Sequence, residues 1–321
     1  MIEALLDAAR AAGASDLHLV SGAVPMVRVD GVLQPLNDQV LWAEDTAQCV
    51  EELGVGDLHQ EKDFSYSNNG KRYRVNAYLN QDTAALAIRL IPDEIPSVES
   101  LRLPEVVNKF AALKHGLVIV TGPTGSGKST TLAALVDRIN ALRYAHIVTL
   151  EDPIEYRHGN RQSLVTQREI GTDTESFASG LRAALRQDPD VILVGEMRDA
   201  ETMEVALNAA ETGHLVLTTM HTGDAVGALT RILDVCKAKE GLVRSQLASC
   251  LQGVLAQQLL PRMGGGRVGA YEVLVATPAV KNLIRENKMF QIPSFIQTGS
   301  QFGMQNMDVA VLKLRRDGLI K

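Results

Sequence analysis

Residues 116–130 read GLVIVTGPTGSGKST: a short apolar strand, a glycine-rich turn and the first turn of a helix. The strand, Leu117–Thr121, delivers the chain to Gly122, Pro123, Thr124, Gly125, Ser126 and Gly127. Glycines there let backbone N–H groups close around phosphate oxygens, because a Cβ would obstruct the needed turn. A helix starting near Lys128 adds the positive end of its dipole. Lys128 is placed to reach the β- and γ-phosphates, and the hydroxyl of Ser129, followed by Thr130, to ligand Mg²⁺. Strand, loop and helix in this order make the pattern specific for ATP-type phosphates.

Around that motif, from residue 105 onward, apolar strands alternate with helices. Strands are expected at Gly116–Thr121, Ile147–Leu150, Val191–Val194, Leu215–Met220 and Val268–Leu274, and helices over 129–142, 176–187, 200–212 and 224–235. Such near-continuous apolar runs suit an α/β domain whose parallel sheet is buried on both faces. Beyond residue 278 the pattern is mostly helical. The first 91 residues differ: helical spacing over 2–12, a strand over Asp16–Val20, a hairpin turning at Asp30-Gly31, a helix over 43–53, and a strand pair at Lys71–Leu79 and Ala84–Leu90. That mixture predicts a smaller α+β domain. Between the two, PDEIPSVESLRLP holds three prolines and reads as a linker over 92–104.

Hydrolysis needs a group that orients the attacking water and further ligands for the metal. Two parallel strands run into acids at their C-terminal ends, where the phosphate turn also lies. Ile147–Leu150 leads to Glu151, Asp152 and Glu155; Val191–Val194 leads to Gly195, Glu196 and Asp199. The second resembles a Walker B strand with Gly195 in place of the usual Asp. Glu196 is left to meet the water, and part of the metal duty moves to Glu155 or Glu151. His221 closes a third strand and is placed to sense the γ-phosphate; His214 opens that strand and has the weaker case.

With 321 residues, 45% of them hydrophobic, the chain has material for two cores. A net charge of −6 and the lack of an aromatic-plus-basic stripe argue against nucleic acid as the partner. Three cysteines without metal spacing fit a reducing compartment. MIEALLDAAR is not a secretion signal, and no apolar run reaches the ~20 residues of a membrane span. A cytoplasmic, soluble protein is expected, and any membrane link must come through a partner.

Together these motifs resemble the secretion-superfamily ATPases, and most closely the PilT-type retraction ATPases of type IV pili. The family's Asp box corresponds to Thr149–Tyr156, its atypical Walker B to Asp188–Asp199, and its His box to Thr212–His214 through His221-Thr222. Ser15–Leu19 resembles the opening strand of the family's PAS-like domain. Arg74 and Arg89 stand where the family uses arginines to reach nucleotide across domains or subunits. Ala279–Arg285 is similar to the family's AIRNLIR motif, with Val for Ile and Lys for Arg, and the tail at 296–308 is similar to the same subgroup. Extension-type relatives usually carry a longer N-terminal region and a four-Cys zinc module, and this chain has neither.

The resemblance implies a RecA-like ATPase domain (105–321) behind an N-terminal PAS-like domain (1–91) and a hinge linker (92–104). It implies a homohexamer using ATP and Mg²⁺, with an inner-membrane pilus platform protein, and a paralogous pilus ATPase, as partners. Glu196 would polarise water, Glu155 would assist the metal beside Ser129, Arg74 and Arg89 would close over the γ-phosphate, and His221 would link phosphate to motion. The other reading is an accessory or nucleotide-gated assembly ATPase with little motor activity of its own.

Overall fold

The computed structural model describes residues 1–56, 58–92 and 94–321; the expected linker over 92–104 includes Asp93, which lies outside the described residues. The chain divides into two compact units, Met1–Glu94 and Ile95–Lys321.

The first unit is an antiparallel sheet with two helices. Its strands are β1 (Asp16–Val20), β2 (Met26–Val29), β3 (Val32–Pro35), β4 (Lys62–Asn68), β5 (Lys71–Asn80) and β6 (Thr83–Leu90), in the order β3-β2-β1-β6-β5-β4. Strict alternation puts Leu17, Leu19, Val75, Leu86 and Ile88 on one face. Ile2, Leu6 and Ala9 of α1 (Ile2–Ala11) and Cys49 and Val50 of α2 (Ala43–Glu52) complete that core. The turn at Asp30-Gly31 forms as expected, with φ of 49° and 85°. β4 was not expected. It is an edge strand, KDFSYSN, whose mostly exposed residues dilute the apolar signal.

The second unit is α/β. Its strands are β7 (Gly116–Thr121), β8 (His146–Glu151), β9 (Leu164–Glu169), β10 (Val191–Val194), β11 (Leu215–Met220), β12 (Leu251–Pro261) and β13 (Arg267–Val275), in the order β13-β12-β7-β11-β10-β8-β9. Its helices are α3 (Val106–Ala111), α4 (Lys128–Leu142), α5 (Phe177–Ala184), α6 (Ala200–Glu211), α7 (Ala225–Val235), α8 (Glu240–Cys250), α9 (Pro278–Arg285), α10 (Ile292–Thr298) and α11 (Met307–Arg316). Leu117, Ile119, Ile192, Val194 and Val216 pack into one core, while Val118, Val120, Leu193, Leu215 and Leu217 pack into a second. Every residue of β7, β10 and β11 is buried, which is why these strands read as unbroken apolar runs.

The sheet is mixed rather than all parallel. Val268–Leu274, expected as a further strand of the parallel set, lies within β13 and pairs antiparallel with β12, which runs parallel to β7. β12 went unseen because Gly253, Gln257 and Gln258 interrupt its apolar run and it follows α8 without a loop. The parallel strands β7, β8, β10 and β11 all end on one edge of the sheet, so the turns after Thr121, Glu151, Val194 and Met220 gather there.

The loop between β8 and β9 carries Glu155 and is anchored by a half-buried histidine. The His158 backbone N–H donates to Gln167 Oε1 at 2.8 Å, and its Nδ1 is buried with no partner among the described residues. Burial pushes the imidazole down to about 4, with Asp137 opposing and nearby Arg161 assisting. Below pH ~6.5 the unfolded chain therefore takes up a proton that the folded chain refuses. Stability from this group is whole above that pH and falls as pH drops toward 4, by roughly 3 kcal/mol in total. Urea unfolding of wild type and His158→Phe at pH 7 and pH 4.5 measures the difference. The wild type is expected to lose more stability than the variant on acidification, and parallel losses would show that His158 is not the titrating group.

Candidate active site

The turn after β7 is shaped by what its glycines leave out. Gly122, Gly125 and Gly127 have φ of 153°, 76° and 85°. A Cβ at Gly122 would collide with the Gln257 carbonyl oxygen and stand 2.7 Å from the Ser126 hydroxyl. Thr121, the last residue of β7, ties the turn to the end of β11: its hydroxyl lies 2.8 Å from that of Thr222 and accepts from the Thr222 N–H at 3.0 Å. Gln257 lies under the loop, donating from Nε2 to the Ser126 carbonyl and accepting from the Thr131 hydroxyl at 2.8 Å.

Gly127 caps α4 in the left-handed conformation, so helix and turn meet at Lys128. Lys128 is buried, and its ammonium donates to the Gly122 and Pro123 carbonyls at 2.9 and 3.0 Å. Burial pushes the ammonium below its usual range, while Glu196 and Glu155 draw it back up. Ser126 Oγ is buried without a partner among the described residues. An inward-held cation, an unsatisfied hydroxyl and a turn closed to Cβ atoms fit a phosphate chain. Ser129 and Thr130 follow on the first turn of α4, where the Thr130 hydroxyl lies 3.0 Å from that of Tyr156. The Ser129 hydroxyl and Glu155 carboxylate are hard oxygen donors of the kind Mg²⁺ takes alongside phosphate and water.

Glu196, just beyond β10, is engaged at both oxygens: Arg198 Nε is 2.7 Å from Oε2 and His221 Nε2 is 3.1 Å from Oε1. Burial would raise this carboxyl, but Arg198 and His221 outweigh it and hold it below the ordinary carboxylate range. His221 Nδ1 lies 3.4 Å from the Lys128 ammonium. An ammonium has only donors, so Nδ1 accepts and Nε2 carries the proton directed at Glu196. Lys128, His221, Glu196 and Arg198 thus form one chain of polar contacts beside the loop.

The remaining acids sort by their partners. Glu151 accepts from the Thr149 hydroxyl at 2.6 Å and from Gln167 Nε2 at 3.0 Å, holding β8 to β9. Asp199 caps α6, accepting from the Thr202 N–H at 2.8 Å and hydroxyl at 2.9 Å. His214 binds the Ala209 carbonyl through Nδ1 at 3.0 Å, at the far end of β11. Arg74 and Arg89 lie on the first unit, opposite each other across β5 and β6. Arg74 pairs with Asp63 at 2.6 Å and Arg89 with Asp16 at 3.1 Å. Sequence reasoning missed Gln257 and gave Arg198 no role. The adjacent glutamines at 257 and 258 in a mostly apolar strand were the available signal for the first.

Gly195 stands where an Asp is usual, and its surroundings explain it. A Cβ there would lie 3.0 Å from the Leu150 carbonyl oxygen and 3.4 Å from Glu151 Cα. A side chain there would press on the β8 backbone, which would have to give by a few tenths of an ångström.

Residues 98–265 match the family described as type II/IV secretion system protein. Over 317 residues the chain is 47% identical to the type IV pilus retraction ATPase PilT of Pseudomonas aeruginosa, covering 96% of this chain and 92% of that one. It is 49% identical over 307 residues to the twitching motility protein of Neisseria gonorrhoeae, covering 92% of this chain and 82% of the other. A crystal structure of the pilus retraction motor PilT with bound ADP superimposes with a TM-score of 0.89 at 45% identity, over 99% of this chain and 93% of that one.

Gly195→Asp, which restores the usual acid, is expected to reduce ATP turnover and to destabilise the fold by about 1–3 kcal/mol through overpacking. Chemical unfolding and a turnover assay test this together; undiminished turnover at wild-type stability would show that the space exists.

Proposed function

The chain belongs to the type II/IV secretion system protein family and is an ATPase, and from that premise we propose that it is the hexameric motor that retracts type IV pili. The observation that carries the reading is the linked set of Lys128, His221 and Glu196 beside a turn that only glycines can form. A scaffold has no need of an ionised carboxylate held on a strand end by an imidazole N–H. A motor that hydrolyses ATP does.

In this mechanism the N–H groups of residues 122–129 enclose the phosphate chain, and Lys128 leaves the Gly122 and Pro123 carbonyls for β- and γ-phosphate oxygens. Ser129 and Glu155 would hold Mg²⁺, which when bound would neutralise charge on the phosphate oxygens. Glu196, ionised at neutral pH, accepts a proton from the attacking water; the water oxygen bonds to the γ-phosphorus as the bond to the bridging oxygen breaks, releasing ADP and phosphate. His221 senses departure of the Lys128 ammonium through Nδ1. Arg74 and Arg89 exchange their aspartates for γ-phosphate oxygens and stabilise the charge that develops there. The proline-rich segment at 92–104 is the hinge between domains 1–91 and 105–321.

The motor acts as a homohexamer in the cytoplasm, held at the inner membrane by a pilus platform protein. A paralogous pilus ATPase is a further candidate partner. Among the described residues no helix is long and apolar enough to cross a membrane, so the proposed attachment runs through that protein.

ATP turnover of wild type, Lys128→Ala, Glu196→Gln and Arg89→Ala, with and without DNA, tests the proposal. Glu196→Gln should lose about 100-fold or more, Lys128→Ala most of its activity, and Arg89→Ala a substantial share without loss of stability. DNA should change nothing. Wild-type turnover no higher than that of Glu196→Gln would make the protein a nucleotide-gated scaffold instead.

A further inference from the structure

Gln257 is only 2% exposed, and nothing in the chemistry above uses it. It follows Ala256, which pairs with Thr121 at the last rung of β7, so it lies level with the start of the phosphate turn. Its amide is occupied at both ends, by the Ser126 carbonyl and the Thr131 hydroxyl. Both buried polar atoms are therefore satisfied, which is the condition for keeping an amide in a core. Its backbone carbonyl is what excludes a Cβ at Gly122, and its Nε2 lies 3.3 Å from where a Cβ on Gly127 would stand. One residue thus borders the turn at its beginning and its end.

Peptide geometry gives this contact a direction. In a trans peptide the carbonyl of one residue and the N–H of the next point opposite ways. Holding the Ser126 carbonyl against β12 therefore aims the Gly127 N–H away from β12. We infer that Gln257 is a positioning residue for nucleotide binding: its side-chain amide fixes the 126–127 peptide so that the Gly127 N–H is presented to phosphate before nucleotide arrives. The inference rests on residues 122–129 being the phosphate site. Thr131, one turn into α4, supplies the second anchor and keeps the amide from rotating. Because the aimed N–H holds phosphate alike before and during hydrolysis, its loss weakens binding more than it slows the chemical step.

The experiment is equilibrium titration of the full chain with a fluorescent ADP analogue, for wild type, Lys128→Ala, Gln257→Met and Thr131→Val. Thermal unfolding and ATPase kinetics are measured alongside. Gln257→Met keeps length and volume but loses the donor. It is expected to bind ADP roughly tenfold more weakly, and its KM for ATP should rise in step while kcat stays near wild type; the unfolding midpoint falls, because the Ser126 carbonyl and Thr131 hydroxyl lose their buried partner. Wild-type affinity in folded Gln257→Met overturns the inference, and so does a fall in kcat at unchanged KM. Should that variant not fold, Thr131→Val decides: affinity reduced about threefold supports the brace, and wild-type affinity overturns it. Wild type that bound no ADP, or Lys128→Ala that bound it normally, would instead overturn the phosphate-site reading.

Discussion

Two stretches of backbone approach each other at Gly122 more closely than any side chain allows. β12 runs parallel to β7 and carries its Gln257 carbonyl into the space where a Cβ would be. That approach demands glycine where the chain turns off the sheet after Thr121, and it sets the turn against Gln257, midway along β12. The left-handed glycines at 125 and 127 then bring the chain round into α4. Lys128 is buried because the turn folds over it, its ammonium held by the Gly122 and Pro123 carbonyls with His221 alongside.

Burial at this point makes charge placement consequential. Lys128 has two backbone carbonyls and one imidazole nitrogen as its neighbours, with carboxylates near enough to offset part of its desolvation. Interactions are stronger here than at a solvated surface, and a group left without a partner is correspondingly costly. The imidazole of His221 is therefore held in one tautomer by its neighbours on both sides. One side chain, that of His221, thus lies between the ammonium and Glu196.

Much of this could be read from the residues alone, for physical reasons that differ by element. β7, β10 and β11 are buried on both faces, so their sequences are apolar without interruption and their ends are sharp. The turn at 122–127 announces itself because glycine is needed at fixed places. β4 and β9 lie at sheet edges, where a half-exposed strand looks like a loop. The acids were visible as acids, but which of them were already occupied was not: Glu151 is held by neighbouring Thr149 and by Gln167 on β9, while Asp199 caps its own helix at Thr202. Gly195 read as a missing aspartate and is explained only by the Leu150 carbonyl beside it.

The small unit's sheet carries a seam of charge opposite its core. Arg28, Asp16, Arg89 and Arg74 are successive cross-strand neighbours on β2, β1, β6 and β5, with Asp63 of β4 closing the row from the edge. Facing arginines would repel if left alone; their aspartates make the arrangement tolerable. Side chains alternate between faces, so a slip of one residue in β6 would carry Arg89 into the apolar interior and leave Asp16 opposite Ile88 or Leu90. The seam therefore works as a spelling check on strand pairing: a misaligned sheet would lose these ion pairs together with its apolar face.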